Sequence, residues 1–181
     1  VRPHDRIKNK TEKKSLSAAM DIGSNLLLHS YGAAPFSRRK VFRRAAIQKN
    51  AQEAGNAYRI RTAGTLGVHS PVRLLSGGNQ QKVVLAREIT PAARFIVASQ
   101  PTRGLDVGAT AFVREKLLEQ KRLGKGVLLI STDLEEILAL SDRIAVMYNG
   151  KVAGILDKKE ATVDRLGLLM GGLQAGKGVP A

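Results

Sequence analysis

The run LSGGNQQKVVLAREI from Leu75 to Ile89, followed by QPTRGLD from Gln100 to Asp106, decides how this chain is read. Ser76-Gly77-Gly78 stands directly before a helical pattern that begins near Asn79, with Val83, Val84, Ala86 and Arg87 at helical spacing. Two glycines let backbone N–H groups approach an anion without interference from a Cβ. The free N–H groups and positive dipole end of a helix favour a phosphate there. Ser76 can offer its hydroxyl to that phosphate or act as an ordinary helix cap. On residue chemistry alone both roles stay open.

Downstream the pattern is regular. Phe95–Ala98 is a short apolar run suited to a buried strand, and Val127–Ser131 is a second. Between them Ala109–Arg122 reads as a helix ended by Leu123-Gly124-Lys125-Gly126. Leu134–Leu140 follows as a short helix with Leu134, Ile137 and Leu138 on one face. Arg143–Tyr148 and Lys151–Ile155 flank Asn149-Gly150, a pair that favours a tight hairpin turn. Strands alternating with helices imply an α/β fold, a parallel sheet covered by helices.

Upstream the reading is looser. Residues 1–19 are polar and basic with no amphipathic period, and Met20–Leu28 is an apolar patch. Gly32–Arg39 reads as a loop broken by Pro35, after which Ser37 is expected to cap a helix from Arg38 to about Ala54. Val41, Phe42, Ala45 and Ala46 would share one face of it. Residues 59–74 have no period and contain Gly64, Gly67 and Pro71, so they read as a loosely ordered connector. The last stretch, GGLQAGKGVPA, reads as a flexible tail.

Composition narrows the classes. With 43% hydrophobic residues the chain can bury a core, so wholesale disorder is excluded. It has no cysteine, which removes disulfides, thiolate metal sites and thiol nucleophiles. No apolar run reaches the ~18 residues a membrane span requires. The first residues, VRPHDRIKNKTEKK, lack the apolar centre of a signal peptide. The net charge of +15 is concentrated in residues 1–74, which hold 15 Lys/Arg against 4 Asp/Glu. Such a field attracts nucleic acid or anionic head groups, or is a solvated basic face. Few aromatics accompany the clusters Arg38-Arg39-Lys40 and Arg43-Arg44, where base stacking would want more. His29 and His69 have no partners at metal-ligand spacing. Asp133, Glu135 and Glu136 read as a cluster favoured by a helix N-terminus.

LSGGNQQK resembles the signature motif of ABC ATPases, and its Asn-Gln-Gln-Lys ending resembles the ATP-binding subunits of bacterial sugar and nucleoside importers. TRGLDVGA (Thr102–Ala109) resembles the D-loop of that family, and SDRIAVMYNGKVAG (Ser141–Gly154) the hairpin after its switch segment. Upstream, PHDR (Pro3–Arg6), SNLLL (Ser24–Leu28) and PFSRR (Pro35–Arg39) are similar to its Q-loop and helical region. The likeness spans roughly residues 1–170 and is strongest over Leu75–Gly154.

The resemblance implies a partial P-loop NTPase (ABC ATPase) fold: a parallel sheet with helices plus a helical signature subdomain. It divides the chain into residues 1–90 (Q-loop remnant and signature subdomain), 91–157 (part of the α/β ATPase core) and 158–181 (C-terminal helix and tail). The phosphate loop GxxxxGK[ST] is absent, and the pairs Gly124-Lys125 and Gly176-Lys177 lack its spacing. In the family that loop lies upstream of the segment resembling Val1. Ser99 stands where the family has a magnesium-organising Asp, Gln100 where it has a general-base Glu, and Thr132 where it has the switch His. The Q-loop position is His4. Serine brings no charge to a metal, and glutamine cannot act as a general base.

The function implied is an accessory cassette of a sugar or nucleoside importer, hydrolytically degenerate at its own site. ATP and Mg2+ would be shared with a second nucleotide-binding half. Ser76, Gly77, Gly78, Asn79 and Gln80 would meet the partner's nucleotide, and Asp106 would tie the two sites together. Membrane permease subunits would complete the assembly on the inner, cytoplasmic face of the cell membrane. Two alternatives are a nucleic-acid-binding protein that uses its basic first part, and a decayed fragment without activity.

Overall fold

The computed structural model describes residues 6–8, 16–38, 41–62 and 64–173. His4, most of the Pro3–Arg6 motif, Arg39, Lys40, Gly176-Lys177 and most of the C-terminal tail lie outside the described residues. The chain forms two compact units, Val1–Ile130 and Ser131–Ala181.

In the first unit a parallel sheet runs in the order β1 (Arg6–Lys8), β4 (Phe95–Ser99), β5 (Gly126–Ile130). The alternation of strand and helix fixes this arrangement, since parallel strands need a crossover. The crossover between β4 and β5 is α4 (Val107–Arg122), which packs on β5. Sequence alone gave no hint of β1, because Arg-Ile-Lys has no apolar period. It becomes a strand by pairing with β4, Arg6 to Val97 and Lys8 to Ser99. Only β4 matches the expectation of burial: Ile96 and Ala98 are fully enclosed. Strand β5 is half open, with Leu128 and Ile130 each 48% exposed. At its start, Phe95 occupies the space over Gly126, where an added Cβ would come within 2.6 Å of the ring.

Between β1 and β4 the chain builds a helical layer. Asp21 caps α1 (Ile22–Leu27) by accepting from the Ser24 amide. The expected helix from Arg38 does not form there. Ser37–Arg38 (β2) and Val41–Phe42 (β3) make a small antiparallel hairpin, and α2 runs Arg44–Ala57. Val41 and Phe42 are therefore solvent-facing at 68% and 57% exposure, and Ala51 is the residue that α2 buries. The β-branched and aromatic pair prefers an extended backbone, which explains the later helix start. The stretch expected to be a loose connector is ordered instead as two 3-10 turns, Gly64–His69 and Val72–Leu74. Val68 and Val72 anchor it in one core with Ile22, Leu26, Ala51, Leu75 and Val83. Each such buried aliphatic side chain contributes about 1.5–3 kcal/mol, enough to order a glycine-containing segment.

Helix α3 (Gly77–Glu88) starts two residues earlier than the sequence suggested, with Ser76 as its cap. Near its end Arg87 and Glu88 form a buried ion pair at 2.8 Å, and His29 lies 3.5 Å from the same carboxylate. His69 sits 3.8 Å from Asp21.

The second unit holds α5 (Leu134–Leu140), the hairpin β6 (Arg143–Tyr148) and β7 (Lys151–Asp157), and α6 (Val163–Met170). Asn149 and Gly150 take the positive φ that their turn requires. Its core is Ile144, Val146, Leu156, Leu166 and Leu169, against which Leu134, Ile137 and Leu138 pack as their spacing suggested. Asp133 caps α5 by accepting from the Glu136 amide. Glu135 and Glu136 lie in the first turn of α5, as a cluster favoured by a helix N-terminus should; Glu136 is fully buried there, while Glu135 stays exposed.

One polar side chain organises the helical layer. Asn25 is fully buried, accepts from the Ser17 amide, and donates to the carbonyls of Ser17, Met20 and Asp21. Leaving buried polar groups unpaired costs roughly 1–3 kcal/mol each. Replacement of Asn25 by Ala is therefore expected to destabilise the first unit by about 2 kcal/mol or more, measurable as a lower urea midpoint.

Candidate functional site

The start of α3 meets the start of α4 in an open groove of about 510 Å³. Ser76 places its hydroxyl 3.4 Å from the Asn79 amide and 3.1 Å from the Asn79 side-chain nitrogen, which donates to it. The Gln80 amide closes the first helical bond to the Ser76 carbonyl. The amides of Gly77 and Gly78 thus lie in the helix's opening turn, ahead of that bond, where dipole and donors favour an anion. Across the groove Asp106 caps α4, accepting from the Ala109 amide at 2.8 Å.

The sequence treats the two glycines alike, and the structure separates them. A Cβ on Gly78 would come within 2.8 Å of the Ala109 Cβ and 3.6 Å of an Asp106 oxygen. Gly78 is buried and sets how closely the two helix starts approach. Gly77 is exposed, and a Cβ there would meet nothing within 4 Å. Its freedom serves whatever approaches from outside.

Of the residues singled out from sequence, Ser76, Gly78, Asn79 and Asp106 line this groove. Gln80 is turned aside, its amide nitrogen donating to the Leu75 carbonyl at 3.0 Å. Ser99 and Gln100 lie at the end of β4, with Ser99 paired to Lys8 and Ile130. Gln100 has a φ of 49° and donates its backbone N–H to the Ile130 carbonyl at 2.7 Å. A positive φ at a side-chain-bearing residue is uncommon and marks a constrained turn. Thr132 is an exposed residue of the second unit.

At the end of β4, Ser99 and Gln100 present a hydroxyl and an amide, where a divalent cation would need charged oxygen. That donor set does not fit magnesium, which favours carboxylate and phosphate oxygens. Among the described residues there is also no group of three or more His, Cys, Asp or Glu that could hold a metal ion.

Sequence reasoning missed the cationic wall of the groove, formed by Arg59, Arg61 and Lys82. Two bonds pin this wall to α3. The Arg61 amide donates to Asn79 Oδ1 at 3.0 Å, and Lys82 Nζ donates to the Arg59 carbonyl at 3.0 Å. Lys82 also stands 5.0 Å over the Phe112 ring. Burial lowers its pKa, and Arg61 and Arg59 lower it further against the opposing pull of Asp106. Behind the wall Tyr58 packs edge-to-face on Phe112, with Lys116 over both rings. The alternation Arg59-Ile60-Arg61, and Lys82 one turn beyond Gly78, are the patterns that could have revealed the wall.

Gly78→Ala is expected to lower stability by about 1–3 kcal/mol through overpacking, whereas Gly77→Ala should leave the urea midpoint unchanged or slightly raised. Tyr58 supplies a second check. Its burial, aided by the negative charge of Glu119, pushes its pKa from 10.0 up to about 12. The folded state holds this proton more tightly, so the associated stability is lost as pH rises from 10 towards 12. Phenolate absorbance of the native chain minus that of Tyr58→Phe should show a step near 12.

No protein-family model matches the chain. It is 44% identical over 170 residues to the guanosine import ATP-binding protein NupO of Bacillus subtilis, covering 94% of this chain and 32% of NupO. It is 39% identical over 170 residues to the nucleoside import ATP-binding protein NupA of Lactococcus lactis, with 94% and 32% covered. With the ribose import ATP-binding protein RbsA of Clostridium tetani it shares 34% over 155 residues, 86% of this chain and 30% of RbsA. The chain thus spans about a third of the length of these relatives, 32% of NupO. In fold it resembles the dimeric ATP-binding cassette MJ0796 bound to ADP and Pi, with a TM-score of 0.65 and 21% identity over 85% of this chain and 62% of that one. The nucleotide-free and ADP-bound forms of other cassettes give similar values. Over the stretch that it spans, this chain belongs to the ABC-type ATP-binding proteins, and the relatives it matches there are named for guanosine, nucleoside and ribose import.

Proposed function

We propose that this chain supplies the signature side of an ATP site whose phosphate loop belongs to a partner nucleotide-binding half, within an importer of sugars or nucleosides. The observation that carries the reading is the groove where Ser76, Gly78 and Asn79 face Asp106. Two helix starts converge there, and Gly77 leaves the approach clear. A nucleotide's terminal phosphate would accept from the opening amides of α3, with the Ser76 hydroxyl as a further donor. Asp106 would face the partner half across the same opening.

The degenerate end of β4 supports the accessory part of this reading. With Ser99 and Gln100 in place of acids, neither of these side chains can orient a metal as a carboxylate does or accept a proton from water. Each lost transition-state interaction is worth a few kcal/mol, and each ~1.4 kcal/mol is tenfold in rate. Turnover would therefore depend on the partner's residues. The names of NupO and NupA point to nucleosides as cargo, and that of RbsA to ribose. Among the described residues no helix is long and apolar enough to cross a membrane. Permease subunits would hold the chain at the inner face of the cell membrane.

The purified chain is expected to show no magnesium-dependent ATP hydrolysis; turnover at the rate of a complete cassette that survives Gln100→Ala would overturn the accessory reading. A chimera tests the lid directly, with this chain replacing the 170 residues that it matches in NupO. Gly77→Asp in the chimera should cut ATP turnover at least tenfold without loss of folding, because that position is open. Unchanged turnover would refute the lid.

A further inference from the structure

We propose that Arg59, Arg61 and Lys82 form a side-chain anion site on the signature groove that grips the triphosphate tail of a nucleotide, beside the backbone donors of α3. This rests on the reading that the chain closes a partner's ATP site as a lid, and extends it to Lys82 at the end of the signature motif and to Arg59 and Arg61 outside it. Three cations share the groove, and the carboxylates lining it are Asp106 and Glu115. Asp106 commits one oxygen to the cap of α4, so it cannot neutralise the wall fully.

The wall is built, since its pieces are held by specific bonds. Arg59 adopts a φ of 49°, a strained value for a side-chain-bearing residue. Lys82 secures that turn through the Arg59 carbonyl, and Asn79 secures the next through the Arg61 amide. Asn79 also bonds Ser76, so one side chain couples the hydroxyl of the signature start to the arginine-bearing loop. Both arginines remain exposed on the groove side of this turn. Guanidinium groups bind phosphate oxygens through paired donors, and lysine adds a point charge. Burial first, and then the repulsion of Arg61 and Arg59, lowers the Lys82 pKa; a bound polyanion would offset that repulsion. An orthophosphate could meet the α3 amides alone, whereas a triphosphate is long enough to engage both. The class expected is therefore a nucleoside triphosphate.

The test is an NMR titration of the 15N-labelled full chain with sodium tripolyphosphate, MgATP and orthophosphate at low salt. Tripolyphosphate and MgATP are expected to shift the Arg59, Arg61, Gly78 and Asn79 amides and to raise the Lys82 pKa. Orthophosphate should bind at least tenfold more weakly. The double variant Arg59→Gln/Arg61→Gln should weaken tripolyphosphate at least fivefold, while the double variant Arg44→Gln/Lys49→Gln, an equal charge loss at exposed positions of α2, should not. Binding of tripolyphosphate without MgATP would still support a triphosphate-tail site; binding of MgATP alone would support one that also needs the nucleoside. Shifts at Gly77 and Gly78 without any at Arg59, Arg61 or Lys82, and an unaffected double variant, would overturn the inference and leave the lid standing. No groove shift at millimolar tripolyphosphate would overturn it as well, with the NupO chimera judging the lid separately. Tighter binding of a single-stranded oligonucleotide than of tripolyphosphate at these residues would reassign the wall to nucleic acid.

Discussion

Everything at the site depends on how closely the starts of α3 and α4 approach. Gly78 lies where a Cβ would stand 2.8 Å from that of Ala109, so only a glycine admits this packing. The contact brings two helix N-termini and their caps, Ser76 and Asp106, to one opening. Each helix start carries free amides and partial positive charge. Side by side they make a surface that one helix alone would not provide. Packing rather than catalysis is thus the reason for one of the two signature glycines.

The loop Tyr58–Arg61 depends on that arrangement in turn. Its hold on α3 uses the Asn79 and Lys82 side chains, one on the opening turn and one on the next. Beneath it, Tyr58, Phe112 and Lys116 join the end of α2 to the middle of α4. The same aromatic cluster desolvates Tyr58 and brings Lys82 near a ring face, so the pKa shifts and the packing share a cause. The bonds from Asn79 and Lys82 hold the backbone of this loop in place, and so set where its two exposed arginines begin.

The end of β4 follows a different logic. The backbone at Gln100 turns with a positive φ and a bond to Ile130, while the Ser99 and Gln100 side chains carry no acid. Geometry at this position is set by the β4–β5 pairing and survives changes of side chain. Chemistry is set by the side chains alone.

Much of this was legible in the sequence, and the limits have physical reasons. Local pattern sufficed for α3, α4, α5 and the Asn149-Gly150 hairpin, because caps, glycine turns and apolar spacing act within a few residues. The family, too, was readable from the signature run and the stretch around Asp106. Tertiary structure decided the rest. Strand β1 exists only by pairing with β4, and the 3-10 turns of residues 64–74 are ordered by burying Val68 and Val72 in a core assembled from distant helices. Asp133, Glu135 and Glu136 read alike as a helix-start cluster, and of the three Glu136 alone is buried. Periodicity reports which face of an element is apolar, and cannot report what covers that face. In the same way the sequence by itself determined that Ser76, Gly77 and Gly78 open a helix. Only the folded chain decided that Gly78 serves packing, that Gly77 faces the open approach, and that Arg59 and Arg61, some twenty residues upstream, share their groove, because proximity in space is set by long-range contacts that no local pattern encodes.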